Sequence, residues 1–313
     1  MTYVGRLAPS PTGALHLGNV RTFMIAWLRA RACGGRILFR MEDLDHPRDK
    51  PGAAAAAVED LRWLGFDWDA ECVQSERRSL YRENLHRLLE LGLVYPCVCS
   101  RKDVERAQSA PHAGEQLHYP GTCRGRYDWE SACRFLNSAV THRLPCWRFA
   151  VPENTTVQFE DVFAGEYSQQ VDVTLGDFPL ARDIDGAGYT LAATVDDALT
   201  GVTEVVRGDD LLAATPAQIL VHRALGNRVP AYCHVPLVTG PDGRRLCKRH
   251  GDTRVAAFRA AGWSPERLIG KLAATCGWGD GTPIALADLV PYFTLDSIPH
   301  RQLVIDDSFK GNC

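Results

Sequence analysis

The stretch Arg6–Phe23, RLAPSPTGALHLGNVRTF, decides how the chain is read. It runs from the end of a predicted strand, Tyr3–Leu7, through a turn holding Pro9, Pro11 and Gly13, into a predicted helix, Leu17–Arg31. Val20, Phe23, Met24, Trp27 and Leu28 recur at helical spacing and form one apolar face. Gly34 and Gly35 stop that helix, and Arg36–Glu42 (RILFRME) reads as a second strand. Strand, helix and strand in succession form a βαβ unit, which requires a right-handed crossover and a parallel sheet. A loop at the carboxyl end of the first strand is where open α/β sheets bind ligands. The helix start behind it offers unpaired amides and the positive end of a dipole, which suit a phosphate. Gly13 and Gly18 permit close backbone approach, the prolines stiffen the loop, and His16 can donate to a phosphoryl oxygen. The competing reading is a stiff turn with no ligand.

Working outward, the 313 residues are 45% hydrophobic and 23% charged, with a net charge of −3. This suits one large domain with an appendage, or two domains. A chain given over to nucleic-acid binding would be basic overall. The charge is uneven, however: residues 41–71 are strongly acidic, and residues 240–271 are strongly basic. The basic stretch reads either as a solvated face or as a surface for phosphates. No apolar run approaches the roughly 20 residues of a membrane helix, and the N-terminus lacks the layout of a signal peptide. A cytoplasmic protein without membrane association is expected. The 11 cysteines are odd in number and scattered, which argues against a disulfide framework.

Further along, Gly52–Leu64 and Arg78–Leu91 read as helices. Residues 97–147 are rich in Cys, His, Pro, Gly and Arg, with weak periodicity, and read as an insertion. Trp147–Val151, Val157–Asp161 and Gln169–Val173 read as strands. Residues 189–212 return to the α/β pattern, followed by helices at Pro216–Leu225, Val255–Ala260 and Pro265–Thr275 and a proline-broken tail. Cys97, Cys99 and Cys123 stand apart from the other cysteines. Three thiolates with one further O or N ligand can close a tetrahedral zinc site. The metal would be structural, organising an insertion with little core of its own.

APSPTGALHLGN (8–19) resembles the HIGH signature of class I aminoacyl-tRNA synthetases, and the string beginning at Arg6 resembles their glutamyl branch. FRMEDLDHPR (39–48), LGFDWD (64–69), YRENLHRLLELGLVYPCVCSR (81–101), YTLAATVDDALTGVTEVVRGDDLL (189–212) and GRRLCKRHGD (243–252, at the place of the KMSKS loop) follow in that family's order. The resemblance therefore covers nearly the whole chain. It implies an α/β fold: a Rossmann-like class I catalytic domain with a zinc-containing insertion and a helical C-terminal segment. On this reading residues 1–96 and 174–239 are the two halves of the catalytic domain, 97–173 the insertion, and 240–313 the KMSKS-like loop and helical segment. No anticodon-binding domain is expected. The chain length and the cysteine cluster together resemble the short glutamyl-Q-tRNA(Asp) synthetases.

The resemblance implies ATP-dependent activation of L-glutamate to glutamyl-adenylate without tRNA. Transfer to the queuosine base in the anticodon of tRNA(Asp) would follow, by a monomer. Arg6 and Arg207 would supply cations for glutamate and Glu42 an anion for its ammonium, with Ala8, Ser10 and Tyr189 lining the pocket. Which arginine takes which carboxylate stays open. His16, Gly18, Asn19 and Lys248 would hold ATP, with His16 and Lys248 catalytic and Mg²⁺ bridging phosphate oxygens. Two motifs depart from the pattern: Asn19 stands where HIGH ends in His, and Arg245 and Cys247 alter the KMSKS counterpart while Lys248 is kept. For the metal, the resemblance points to Cys97, Cys99, Tyr119 and Cys123, although His118 or His112 would be chemically easier than Tyr. The other readings are a truncated glutamyl-tRNA synthetase charging tRNA(Glu), and a non-catalytic zinc and RNA-binding relative.

Overall fold

The structure, a computed structural model, describes residues 2–44, 49–107, 118–138, 143–240, 242, 253–305 and 309. It opens with β1 (Val4–Leu7), α1 (Leu17–Ala32), β2 (Arg36–Met41), α2 (Ala53–Trp63) and β3 (Ala70–Val73). β1 pairs parallel with β2, and β2 with β3. The predicted βαβ unit is therefore present. α1 buries Val20, Met24, Trp27 and Leu28 as its periodicity requires, and Gly34 takes the positive φ, +59°, that ends it. Arg21 is buried as well: its guanidinium donates to Thr275 Oγ1 at 3.2 Å and to Pro236 O at 3.0 Å.

Next come α3 (Arg78–Glu90), β4 (Val94–Cys97), α4 (Arg101–Ala107), α5 (Trp129–Ser138), β5 (Cys146–Phe149), β6 (Thr156–Asp161), β7 (Gly165–Gln170), α6 (Val171–Thr174) and β8 (Pro179–Ala181). β4, β5 and β8 form an antiparallel sheet. The strand expected over Gln169–Val173 ends at Gln170. Val171 is fully buried, and its carbonyl accepts the amides of both Leu175 and Gly176, which closes a helical turn instead of extending the strand.

The second half contains α7 (Tyr189–Leu199), β9 (Glu204–Gly208), α8 (Thr215–Ala224), β10 (Ala231–Val235), β11 (Val238–Thr239), α9 (Val255–Ala260), α10 (Pro265–Ala274) and β12 (Leu303–Val304). Its sheet runs β7-β6-β10-β9, with β10 parallel to both β6 and β9. β6 and β7 thus share a sheet with β9 and β10, although they lie within 97–173 in sequence. α10 starts as its sequence dictates, with Ser264 accepting from Arg267 N and Pro265 in the first turn. No helix among the described residues is long and apolar enough to cross a membrane.

The sheet of β1–β3 and the sheet β7-β6-β10-β9, in which β6 and β7 are antiparallel, meet at β1 and β9. Val4 N donates to Thr203 Oγ1 at 2.9 Å, and Thr203 N donates to Val4 O at 2.9 Å. Strands from the two halves of the chain are therefore neighbours here, with crossovers leaving in opposite directions, and the crevice beyond their carboxyl ends is where such sheets take ligands. α7 packs behind this junction. Its Asp196 is wholly buried and accepts from Gln74 Nε2 (2.9 Å), Arg77 Nε (2.7 Å) and Tyr81 Oη (2.8 Å), tying α3 to α7.

His222 of α8 is fully buried, and neither ring nitrogen has a hydrogen-bond partner among the described residues. Burial drives its pKa down to about 4, against the attraction of Asp197. The unfolded residue titrates near about 6.5. Between those values the unfolded chain binds a proton that the folded chain refuses. Stability contributed by the neutral ring is complete above the unfolded value and is lost as pH falls toward 4. Replacing His222 by Leu removes no hydrogen bond. His222→Leu is expected to hold stability within about 1 kcal/mol at pH 7.5 and to flatten the acid slope by about one proton. Urea unfolding across this pH range measures both.

Candidate active site

A cavity of about 860 Å³ opens at the carboxyl ends of β1 and β9. Arg6, Ala8, Ser10, His16, Gly18, Asn19, Glu42, Tyr189 and Arg207 all line it. Lys248, with Arg244–Arg249 as a whole, lies outside the described residues.

The turn on one side is held from within and from without. His16 is the N-cap of α1 in extended conformation, and Asn19 Oδ1 reaches back to accept from His16 N at 3.4 Å. Leu17 N donates to Thr253 O at 3.1 Å, and Val255 N donates to Leu15 O at 3.0 Å. The residues just after the KMSKS-like stretch are thus bonded to the HIGH-like turn. Gly18 lets the His16 ring lie close: a Cβ there would sit 3.3 Å from His16 Nδ1 and 3.5 Å from Val238 Cβ.

The other side is charged and buried. Arg6 is 6% exposed, and its Nη1 donates to Val206 O at 2.7 Å across the β1–β9 junction. Burial lowers its pKa, but from a starting value so high that it remains a cation. Glu42 Oε1 accepts from Arg40 Nε at 3.3 Å and Nη2 at 3.1 Å, while Arg40 Nη1 pairs with Asp197. Burial pushes the Glu42 carboxyl above its usual range despite the pull of Arg40 and Arg6. Burial would raise Asp197 too, but Arg40 and Arg6 hold it below the ordinary value.

Arg207 is 5% exposed. Its Nε donates to His234 Nε2 (3.0 Å), Nη1 to Gln218 Oε1 (2.8 Å) and Tyr189 Oη (3.2 Å), and Nη2 to Thr215 Oγ1 (2.8 Å). Arg40, Asp197, His234, Gln218 and Thr215 were not singled out from sequence. Each takes its role from a partner on another structural element, Arg40 and Asp197 from each other and the remaining three from Arg207, so no signal within one element marks them. Arg182, also missed, sits on the cavity rim beside Leu44.

Apart from this cavity, the sulfurs of Cys97, Cys99 and Cys123 lie within 4.8 Å of one another. Cys99 Sγ and Cys123 Sγ are 3.6 Å apart, close to the roughly 3.8 Å between sulfurs on one tetrahedral zinc. Tyr119 Oη lies 3.3 Å from Cys97 Sγ and 3.8 Å from Cys99 Sγ, and accepts from Cys123 N at 2.8 Å. His118 turns elsewhere, with Nε2 3.1 Å from Asp172 O, and His112 lies outside the described residues. The Cys146 thiol lies against Cys97 from the opposing strand. The donor set suits zinc.

A parallel α/β sheet, a ligand crevice at its switch point, a helix start and a pocket of buried ions define a nucleotide-using catalytic domain that handles a small charged substrate. Residues 3–283 match the class I tRNA synthetases (E and Q), catalytic domain, and the chain belongs to that family. The chain is 47% identical to the glutamyl-Q tRNA(Asp) synthetase of Symbiobacterium thermophilum, over 96% of this chain and 95% of that one. It is 42% identical to the glutamate–tRNA ligase of Aquifex aeolicus, over 87% of this chain and 57% of that one. The crystal structure of a glutamate tRNA ligase from Elizabethkingia meningosepticum in complex with its amino acid superposes with a TM-score of 0.82 at 25% identity, covering 99% of this chain and 68% of that one.

Gly18→Ala separates ligand geometry from stability. The added methyl crowds the His16 ring, whereas Ala in place of Gly favours the helix by up to about 1 kcal/mol. The variant is expected to melt no lower than the parent and to bind ATP several-fold more weakly. Calorimetric titration with ATP beside a thermal melt checks both.

Proposed function

We propose that this chain activates L-glutamate with ATP, without tRNA, and then transfers the glutamyl group to the queuosine base in the anticodon of tRNA(Asp). One observation carries the reading: two buried guanidiniums and a partly buried carboxylate share a cavity with the start of α1. Glutamate brings two carboxylates and an ammonium, the complement of that set. A guanidinium has five donors. Arg207 has four engaged by protein partners, whereas Arg6 commits one to Val206 O. Arg6 is thus the better fork for a bidentate carboxylate, and Arg207 adds charge and its remaining Nη2 proton. Arg40 occupies Oε1 of Glu42, leaving Oε2 for the ammonium.

In the first step a carboxylate oxygen of the α-carboxyl group attacks the α-phosphorus of ATP, the bond to the bridging oxygen breaks, and pyrophosphate leaves with the electron pair. His16 and the start of α1 hold phosphate oxygens, and Lys248 balances charge on the leaving group. ATP arrives with its Mg²⁺. In the second step a nucleophile of the queuosine base takes the glutamyl group and AMP leaves. Zinc, when bound, pins the insertion: Cys97, Cys99, Cys123 and Tyr119 would hold it. The relatives support the choice of acceptor. The relative named for tRNA(Asp) is matched over 95% of its length, the ligase from Aquifex aeolicus over 57%.

Glutamate-dependent ATP–pyrophosphate exchange is expected without tRNA, followed by transfer of labelled glutamate to queuosine-containing tRNA(Asp) and not to tRNA(Glu). Arg6→Ala is expected to cut exchange by about a hundredfold or more, the weight of paired hydrogen bonds to a charged group. Charging of tRNA(Glu) in place of tRNA(Asp) would overturn the reading, and so would absence of exchange. For the metal, purified protein is expected to hold about one zinc per chain. Cys123→Ser is expected to lose it and to melt at lower temperature, as read by elemental analysis and calorimetry.

A further inference from the structure

Behind Arg207 a line of buried groups runs from β9 through β10 to β6. Arg207 Nε donates to His234 Nε2 at 3.0 Å, and His234 Nδ1 lies 2.6 Å from Asp161 Oδ2. His234 and Asp161 are each 1% exposed. Arg207 Nε always carries its proton. Nε2 of His234 is therefore the bare nitrogen, and the single ring proton sits on Nδ1, facing Asp161. Asp161 is fixed in turn, because its Oδ1 accepts the backbone amides of His234, Phe163 and Ala164. Only Oδ2 is left for the ring.

The cations of this region divide by their partners. Arg40 is bonded to the carboxylates of Asp197 and Glu42. Arg207 is bonded to an imidazole, an amide and two hydroxyls. A carboxylate placed directly on Arg207 would orient it but cancel much of its attraction for a substrate anion. A neutral imidazole orients the guanidinium and leaves its charge uncancelled, with the compensating anion one ring further away.

We propose that His234 and Asp161 are positioning residues for Arg207, Asp161 fixing the tautomer of His234 so that a neutral acceptor aims the guanidinium at the carboxylate of glutamate. This rests on reading the cavity as the glutamate pocket. Asp161→Asn tests it. The three amides at Oδ1 require an oxygen there, so the new NH₂ faces His234 Nδ1. That nitrogen must then be bare, and the ring proton moves to Nε2, against the Arg207 Nε proton.

In Asp161→Asn the KM for glutamate in exchange is expected to rise about tenfold or more, the weight of one hydrogen bond to a charged group, with the KM for ATP unchanged. A folded Asp161→Asn protein with unaltered glutamate KM, or with both KM values raised alike, overturns the proposal. Nitrogen-15 NMR of the ring nitrogens in the parent protein, with His234 assigned by its loss in His234→Gln, is the second measurement and needs no Asp161 variant. A neutral ring with the proton on Nδ1 is expected at pH 7.5. A proton on Nε2, alone or in the imidazolium, overturns the proposal. Absence of glutamate-dependent exchange in the parent protein would be a failure of the pocket reading instead, and the tautomer measurement would still decide the arrangement behind Arg207.

Discussion

Two guanidiniums, Arg6 and Arg207, are buried where β1 meets β9, and much of the fold is arranged around keeping charge there. An unpaired buried ion costs several kcal/mol. The direct partners of both groups are nonetheless neutral: a carbonyl for Arg6, and an imidazole, an amide and hydroxyls for Arg207. The compensating anions stand one group further out. Asp161 reaches Arg207 through His234, which requires β6 to lie beside β10. Asp197 acts on Arg6 from α7 while pairing with Arg40. Neighbouring Asp196 on the same helix turns to α3 and anchors the helix that carries both.

This arrangement explains what the sequence revealed and what it concealed. The turn at Arg6–Phe23, the α1 face, β2 and the helices around it were legible because their signals are local: periodicity, glycine stops and turn residues. Within the described residues, those singled out for the cavity do line it. Arg40 offered no such signal, because its meaning lies in Asp197, 157 positions away. Asp161 and His234 are separated by 73 positions and sit in strands whose pairing no alternation discloses. Arg21 lies outside the apolar set read from α1, yet it is buried, with Thr275 and Pro236 as its partners. Val171 reads as a strand residue, yet its carbonyl closes a helical turn.

The insertion is organised on a different principle. Among the described residues its own apolar cluster is small: Tyr95, Cys97, Val98, Val104, Tyr119, Cys123, Ala132 and Leu136. A core of that size supplies little stability, and small units of this kind are commonly stapled by a metal. Three of the eight residues are themselves candidate ligands, with the Tyr119 hydroxyl among the sulfurs. These sulfurs and the Tyr119 hydroxyl therefore occupy the place that larger aliphatic side chains fill elsewhere. β6 and β7 follow in sequence but pack elsewhere, because they pair into the sheet of β9 and β10.

Asn19, the off-pattern residue of the HIGH-like turn, takes its place from the same logic of partners. Its Oδ1 accepts from His16 N, and Thr253 O takes the amide of Leu17. A turn followed by a helix leaves unpaired backbone donors that must be satisfied or shown to a ligand. Here a short amide side chain satisfies one of them from within the helix, and the segment leading away from the basic stretch satisfies another. Imidazole at position 19 would have to present a bare ring nitrogen to do the same, whereas an amide oxygen accepts in every protonation state. The amide at position 19 therefore holds the backbone of His16, whose ring lies against Gly18.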